Sequence, residues 1–108
     1  MTYNLIITEP AEMDLIETGL YVNRILNSPI AAQNLLDEIE SHILSLGQMP
    51  ERYALVSSER LAILGVRAIP VKNYLIFYVV YEDSKTVAVV RVLHGSRDWE
   101  GLLLEGIP

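Results

Sequence analysis

The run VVRVLHGSRDWEGLL, Val89–Leu103, sets Arg91, His94, Arg97 and Trp99 within nine residues of one another. Guanidinium groups hold phosphates and carboxylates, an imidazole can move protons near neutral pH, and an indole can stack. Upstream, Arg67, Lys72 and Tyr74 add two cations and a phenol. Each also has a bland use. Arg67 and Arg91 can project from a sheet face as target-binding cations, or pair with carboxylates and snorkel. Lys72 falls in a turn, solvated or on a phosphate. His94 suits acid–base work or a hydrogen bond to backbone near Gly95. Arg97 and Asp98 read as a turn and helix start, and Trp99 as the edge of a core. Tyr74, Tyr78 and Tyr81 read as strand aromatics and His42 as a boundary residue. Arg91 is the odd element, because strict alternation puts it with Val87, Val89 and Leu93, and His94 with Ala88, Val90 and Val92. A guanidinium on an apolar face must reach water or a partner.

No glycine-rich phosphate loop, metal-ligand cluster or Ser–His–Asp spacing accompanies these residues, and two isolated histidines do not suggest zinc. No metal and no cofactor are expected.

The elements that position these groups follow from local pattern. Thr2–Thr8 alternates and is rich in β-branched residues, a strand. Thr8, Pro10 and the acids Glu9 and Glu12 start a helix over Glu9–Leu26. Its apolar residues Met13, Leu15, Ile16, Leu20, Val22, Ile25 and Leu26 occupy more than one stripe. That implies a helix wedged between two neighbours, or contact with another protein. Ser28 and Pro29 start a second helix whose face is Ala32, Leu35, Leu36, Ile39, Ile43 and Leu46, with Gly47 and Pro50 as the stop. The short connection makes the two an antiparallel hairpin. Residues 51–60 are irregular. Three strands are expected over Leu61–Ile69, Asn73–Tyr81 and Thr86–His94, the first turn built from Pro70, Lys72 and Asn73 and the second from residues 82–85. Asp98 caps a short helix reaching Leu104. The order β-α-α-β-β-β with a short C-terminal helix predicts an α+β fold, its helical hairpin on one face of a small antiparallel sheet and the other face free.

With 108 residues the chain is expected to form one domain, residues 1–108. At 51% hydrophobic and 20% charged, the composition excludes a disordered chain. The longest apolar run, Tyr74–Tyr81, is too short to span a bilayer, which takes roughly 20 residues. Absence of cysteine and of a signal-like start fits a cytoplasmic protein without membrane association. The net charge of −6 is uneven: residues 1–50 hold seven acids against Arg24 alone, whereas residues 60–97 carry a net +4. An acidic helical layer and a mildly basic sheet are implied.

Four segments carry a resemblance. ITEPAEMDL, SPIAAQNLLDEIESHI closing on LGQMP, GVRAIPVKNYLIFYVV and VAVVRVLHGSRDWEGLL together resemble the RelE/ParE toxins of bacterial type II toxin–antitoxin modules, in order and over almost the whole chain. The resemblance implies a small cytoplasmic toxin neutralised by a cognate antitoxin whose C-terminal segment wraps it, with operator DNA reached only through that antitoxin. RelE-like members cleave mRNA in the ribosomal A site without metal, and ParE-like members poison DNA gyrase. A ribonuclease would use Arg67, Arg91 and His94 for charge stabilisation and proton transfer. RelE-like sequences commonly place an arginine after the tyrosine that opens the third strand, where this chain has Leu75. PVKNYLIFY and RVLHGSRDW look ParE-like, and overall acidity also disfavours RNA. The ParE-like reading makes Arg67, Lys72, Tyr74, Arg91, Arg97 and Trp99 contacts to target or antitoxin. A catalytically silent homologue serving as antitoxin partner and co-repressor is the remaining alternative.

Overall fold

Two capped starts organise the helical layer. The Thr8 hydroxyl accepts the Ala11 N–H at 3.3 Å and the Ser28 hydroxyl accepts the Ala31 N–H at 3.1 Å, with Pro10 and Pro29 in the first turns. They open α1, Glu9–Leu26, and α2, Pro29–Ser45, joined through Asn27 in the left-handed conformation. The hairpin closes tightly at Gly19, where an added Cβ would sit 2.9 Å from Leu36 Cδ1.

The computed structural model describes residues 2–106. The chain runs β1 Asn4–Ile7, α1, α2, a 3-10 turn at Pro50–Arg52, α3 Glu59–Ile63, β2 Val66–Val71, β3 Tyr74–Tyr81, β4 Thr86–His94 and α4 Trp99–Gly106. The sheet order is β1-β4-β3-β2. β2, β3 and β4 form an antiparallel meander, and β1 adds in parallel beside β4, pairing Asn4 with Thr86 through Ile7 with Val89. The expected α+β order and hairpin layer are observed, in a mixed sheet whose one parallel pair follows from the hairpin crossover between β1 and the meander.

Three expectations are corrected. The strand expected from Leu61 begins only at Val66, because the Ser58 hydroxyl accepts the Leu61 N–H and starts α3. Gly65, at φ +84°, then turns the chain into β2. Pro70 lies inside β2 rather than in the turn; β2 is an edge strand, where proline's missing donor costs no ladder bond, and Lys72 and Asn73 alone make the turn, Lys72 at φ +53°. Nor is the second sheet face free. Leu61 from α3 and Leu103 from α4 bury against Val66, Phe77, Val79 and Leu93, with Trp99 packed on that cluster. The main core lies on the hairpin side, where Leu35, Ile39 and Ile43 of α2 meet Ile69, Ile76, Tyr78, Val87, Val89 and Val92.

A bulge in β4 decides where the suspected site residues go. Phe77 pairs with Arg91 and Tyr78 with Val89, so Val90 is the extra residue. Parity inverts beyond it. Val92 and His94 join Val87 and Val89 on the hairpin face, while Arg91 and Leu93 register with Phe77 and Leu75. The strict alternation read from the sequence therefore fails for Arg91 and His94.

Candidate functional site

β1 stops at Ile7, so the outer edge of β4 past Val89 has no strand beside it. The start of α1 continues that edge with side chains. The Thr8 N–H donates to the Val89 carbonyl at 3.0 Å and the Thr8 hydroxyl to the Val90 carbonyl at 3.1 Å. One and a half turns on, Asp14 accepts the Val92 N–H at 2.9 Å. The same carboxylate accepts Arg91 Nε at 2.7 Å and a terminal guanidinium nitrogen at 2.9 Å, a bidentate pair. Asp14 is 6% exposed. Hydrogen bonding to it raises the Arg91 pKa above its already high value. The partner that Arg91 required is thus an acid on the packed stripe of α1, between Ala11 and Thr18.

Between this edge and α1 opens a groove of about 560 Å³ lined by Asp14, Thr18, Tyr21, Arg24, Tyr74 and His94, among others, with Ser96 and Arg97 at its end. Tyr74 is buried, which pushes its hydroxyl pKa up, with Thr18 beside it pulling the other way. The His94 ring stands edge-on to Tyr74, centroids 5.2 Å apart. The Ser96 N–H donates to His94 Nδ1 at 3.1 Å and the Ser96 hydroxyl lies 2.7 Å from the same nitrogen. In the neutral ring Nδ1 is therefore an acceptor and Nε2 carries the proton. The guanidinium of Arg24 sits 5.7 Å from the Tyr21 ring centre.

Of the residues singled out in the sequence, Tyr74, His94 and Arg97 meet at this groove, and Arg91 abuts it through Asp14. The others lie elsewhere. Arg67 is on β2 and donates to the Tyr53 carbonyl at 2.6 Å and the Glu51 carbonyl at 3.4 Å, tying residues 51–53 to the sheet. Lys72 faces Glu38 across 3.7 Å, both well exposed. Trp99 stacks obliquely on Phe77 on the opposite sheet face, centroids 5.3 Å apart. Arg67, Arg91 and His94 do not form one cluster: Arg67 stands on an edge strand with β3 between it and β4, Arg91 is held by Asp14, and His94 is tied to Ser96. Asp14, Thr18, Tyr21, Arg24 and Ser96 were missed in the sequence. The usable signal was Asp14 at three and four residues from Ala11 and Thr18, one polar position on a stripe of small residues.

A helical hairpin on a mixed four-stranded sheet, with a groove where α1 leaves the β4 edge, defines a small α+β domain. The model of the family described as ParE toxin of type II toxin–antitoxin system, parDE, matches residues 5–99, and the chain belongs to that family within the RelE/ParE superfamily. Among solved structures, the chain is similar to the chromosomal ParDE system of P. aeruginosa, at TM-score 0.70 and 21% identity over 86% of this chain and 96% of that one. The RelBE2 toxin–antitoxin complex of Mycobacterium tuberculosis gives 0.64 and 20%, over 87% and 99%. An arginine-substituted variant of the E. coli toxin RelE in the free state gives 0.66 and 15%, over 98% and 95%. At these identities what is shared is the fold. A search of curated proteins returns no match. Among the described residues no helix is long and apolar enough to cross a membrane.

Proposed function

We propose that this chain is the toxin of a type II toxin–antitoxin module, neutralised by a cognate antitoxin and acting by gripping a macromolecular target such as DNA gyrase. The observation that carries the reading is α1. Its buried residues are Ala11, Asp14 and Thr18, and directly opposite, at spacings of three and four, Met13, Ile16 and Leu20 are 51%, 56% and 66% exposed. Of the two expectations for its double stripe, a wedged helix or a contact surface, the exposure favours the second. A helix with an apolar row on its solvent side is built for a protein partner. The similar ParDE and RelBE2 structures are toxin–antitoxin assemblies, which supports an antitoxin as that partner.

Binding is favoured over RNA cleavage because the three residues that would serve metal-free cleavage are each engaged and apart, and because a net charge of −6 opposes contact with phosphates. Operator DNA would be reached only through the antitoxin. Brief expression in a translating extract, with mRNA ends mapped and gyrase supercoiling followed separately, tests the target. Loss of supercoiling on intact mRNA is the expected result. Codon-phased cleavage abolished by His94→Ala would overturn it in favour of the ribonuclease, and neither effect with tight antitoxin binding would identify a silent homologue.

A further inference from the structure

The two outer strands of the sheet, β2 and β1, are finished differently at their free edges. On β2 the Val56 N–H donates to the Val66 carbonyl, Leu55 bridges Arg67, and Pro70 has no donor to present. On β1 the Asn4 N–H donates to the Lys85 carbonyl and the Thr8 N–H to the Val89 carbonyl. The even residues therefore direct their backbone groups to β4, and the odd residues direct theirs outward. Gly47 takes the Tyr3 N–H at 2.9 Å. The N–H and carbonyl groups of Leu5 and Ile7 meet no protein partner among the described residues. No charge, proline or bulge interrupts Asn4–Ile7, and Ile6 is 51% exposed. Two further apolar side chains stand near this edge: Leu44 and Met49, three residues before and two after the Gly47 that holds Tyr3, are 64% and 74% exposed.

We propose that β1 is the contact between two copies of this chain, paired antiparallel about a twofold axis at Ile6, so that two four-stranded sheets join into one. The register follows from the outward groups. With Ile6 opposite Ile6 of the second copy, Leu5 of each copy lies opposite Ile7 of the other. Each such pair exchanges two hydrogen bonds, and every open group of the edge is satisfied. Moving the axis by one residue fails, because it sets Ile7 against Tyr3, already bonded to Gly47, or Leu5 against the helical Glu9. The two Ile6 side chains then occupy a non-hydrogen-bonded pair, where Cα atoms approach to about 4.5 Å. A second copy suits this edge because a twofold axis sets like against like, and Asn4–Ile7 has no charge to repel itself. With Ile6, Leu44 and Met49, the edge presents on the order of 500 Å² per copy, or about 1,000 Å² in all, the lower limit of a specific interface. The dimer is therefore a micromolar, reversible one.

The test uses the full chain. Sedimentation velocity between about 2 and about 200 µM, a range that brackets so small an interface, is expected to show a monomer passing into a dimer. Over the same range the Leu5 and Ile7 amides should exchange more slowly, while the Ile6 amide, directed to β4, stays unchanged. Ile6→Lys sets two ammonium groups against each other and should weaken association at least about tenfold. At the dilute end it should melt like the native chain, since the position is half exposed. The chain has no cysteine, so Ile6→Cys gives an independent readout. Mild oxidation should link it into dimers at least about tenfold faster than Ile63→Cys, although Ile63 is 85% exposed. A monomer throughout the range, exchange at Leu5 and Ile7 that ignores concentration, or equal cross-linking of the two cysteine variants would overturn the proposal. So would protection of those amides only by the partner encoded beside the chain, which would give the edge to that partner.

Discussion

Arg91 and Asp14 illustrate how a charge can sit inside an apolar strand at low cost. The carboxylate receives three donors, two from the guanidinium and one from the Val92 backbone, so neither ion is left unsatisfied. Arg91→Ala strands a nearly buried carboxylate, and urea unfolding should show a loss of about 3 kcal/mol, at the lower end of buried pairs because Arg91 keeps some water contact. Asp14→Leu combined with Arg91→Met should cost much less than the sum of the two single changes; additive losses would mean that the pair is not coupled. Tyr78 gives a second residue-scale test. It is fully buried, its hydroxyl donates to the Pro50 carbonyl at 2.6 Å, and burial pushes its pKa up to about 12. An unfolded tyrosine ionises near pH 10. The folded chain therefore holds this proton where the unfolded chain loses it, so the contribution is complete below about pH 10 and disappears as pH rises toward 12. Denaturation midpoints followed by Trp99 fluorescence should fall more steeply over that window than those of Tyr78→Phe. Parallel slopes would refute the assignment. At this scale the sequence disclosed that Arg91 needs a partner but not which one. Asp14 is one of fourteen acids, and what selects it is a bulge at Val90 that leaves no local signature in a run of valines.

Among the elements, those written by local rules were legible and those written by tertiary contact were not. α1 and α2 start where Thr8 and Ser28 cap them, and β3 and β4 are continuous β-branched and aromatic runs. The segment LAILGV is ambiguous, since a short apolar run fits either periodicity. Ser58 decides it by capping α3 and by hydrogen-bonding Glu100 of α4, a contact 42 residues away in sequence. Gly65 then has to adopt φ +84°. Its surroundings are open, the nearest side-chain atom to an added Cβ being Val79 Cγ1 at 3.9 Å, so substitution is penalised by backbone conformation and not by crowding. Gly65→Ala should destabilise by about 1 kcal/mol, near the cost of placing an L-residue in the left-handed region. Ser58→Ala should lose about 1 kcal/mol through the cap and also loosen α4. Hydrogen exchange should register this as faster exchange at Leu102 and Leu103, and exchange confined to α3 would contradict the coupling of the two helices.

For the molecule as a whole, asymmetry is the organising fact. Both sheet faces are covered, one by the hairpin and the other by α3 and α4, so the free face inferred from the order of elements does not exist to serve as a binding surface. Among the described residues, the outside of α1 and the β4 edge beside it stay open. The sequence hinted at the first through a double apolar stripe, of which Leu15 and Val22 pack on the core, but it did not single out the fully packed positions Ala11, Asp14 and Thr18, which no hydropathy pattern selects. The large residues Met13, Ile16 and Leu20 look like core and are surface. Replacing all three with glutamine therefore separates packing from recognition. Exposed helical positions tolerate polar residues, so stability should stay within about 0.5 kcal/mol per site. If the stripe is where an antitoxin helix lies, these changes remove its apolar anchors, and affinity for the partner encoded beside the chain, measured by calorimetry, should fall at least about 100-fold, two anchors' worth of binding energy. Unchanged affinity would place the partner elsewhere. A collapse in stability would mean that the stripe is packed within the chain, against the exposure that singled it out.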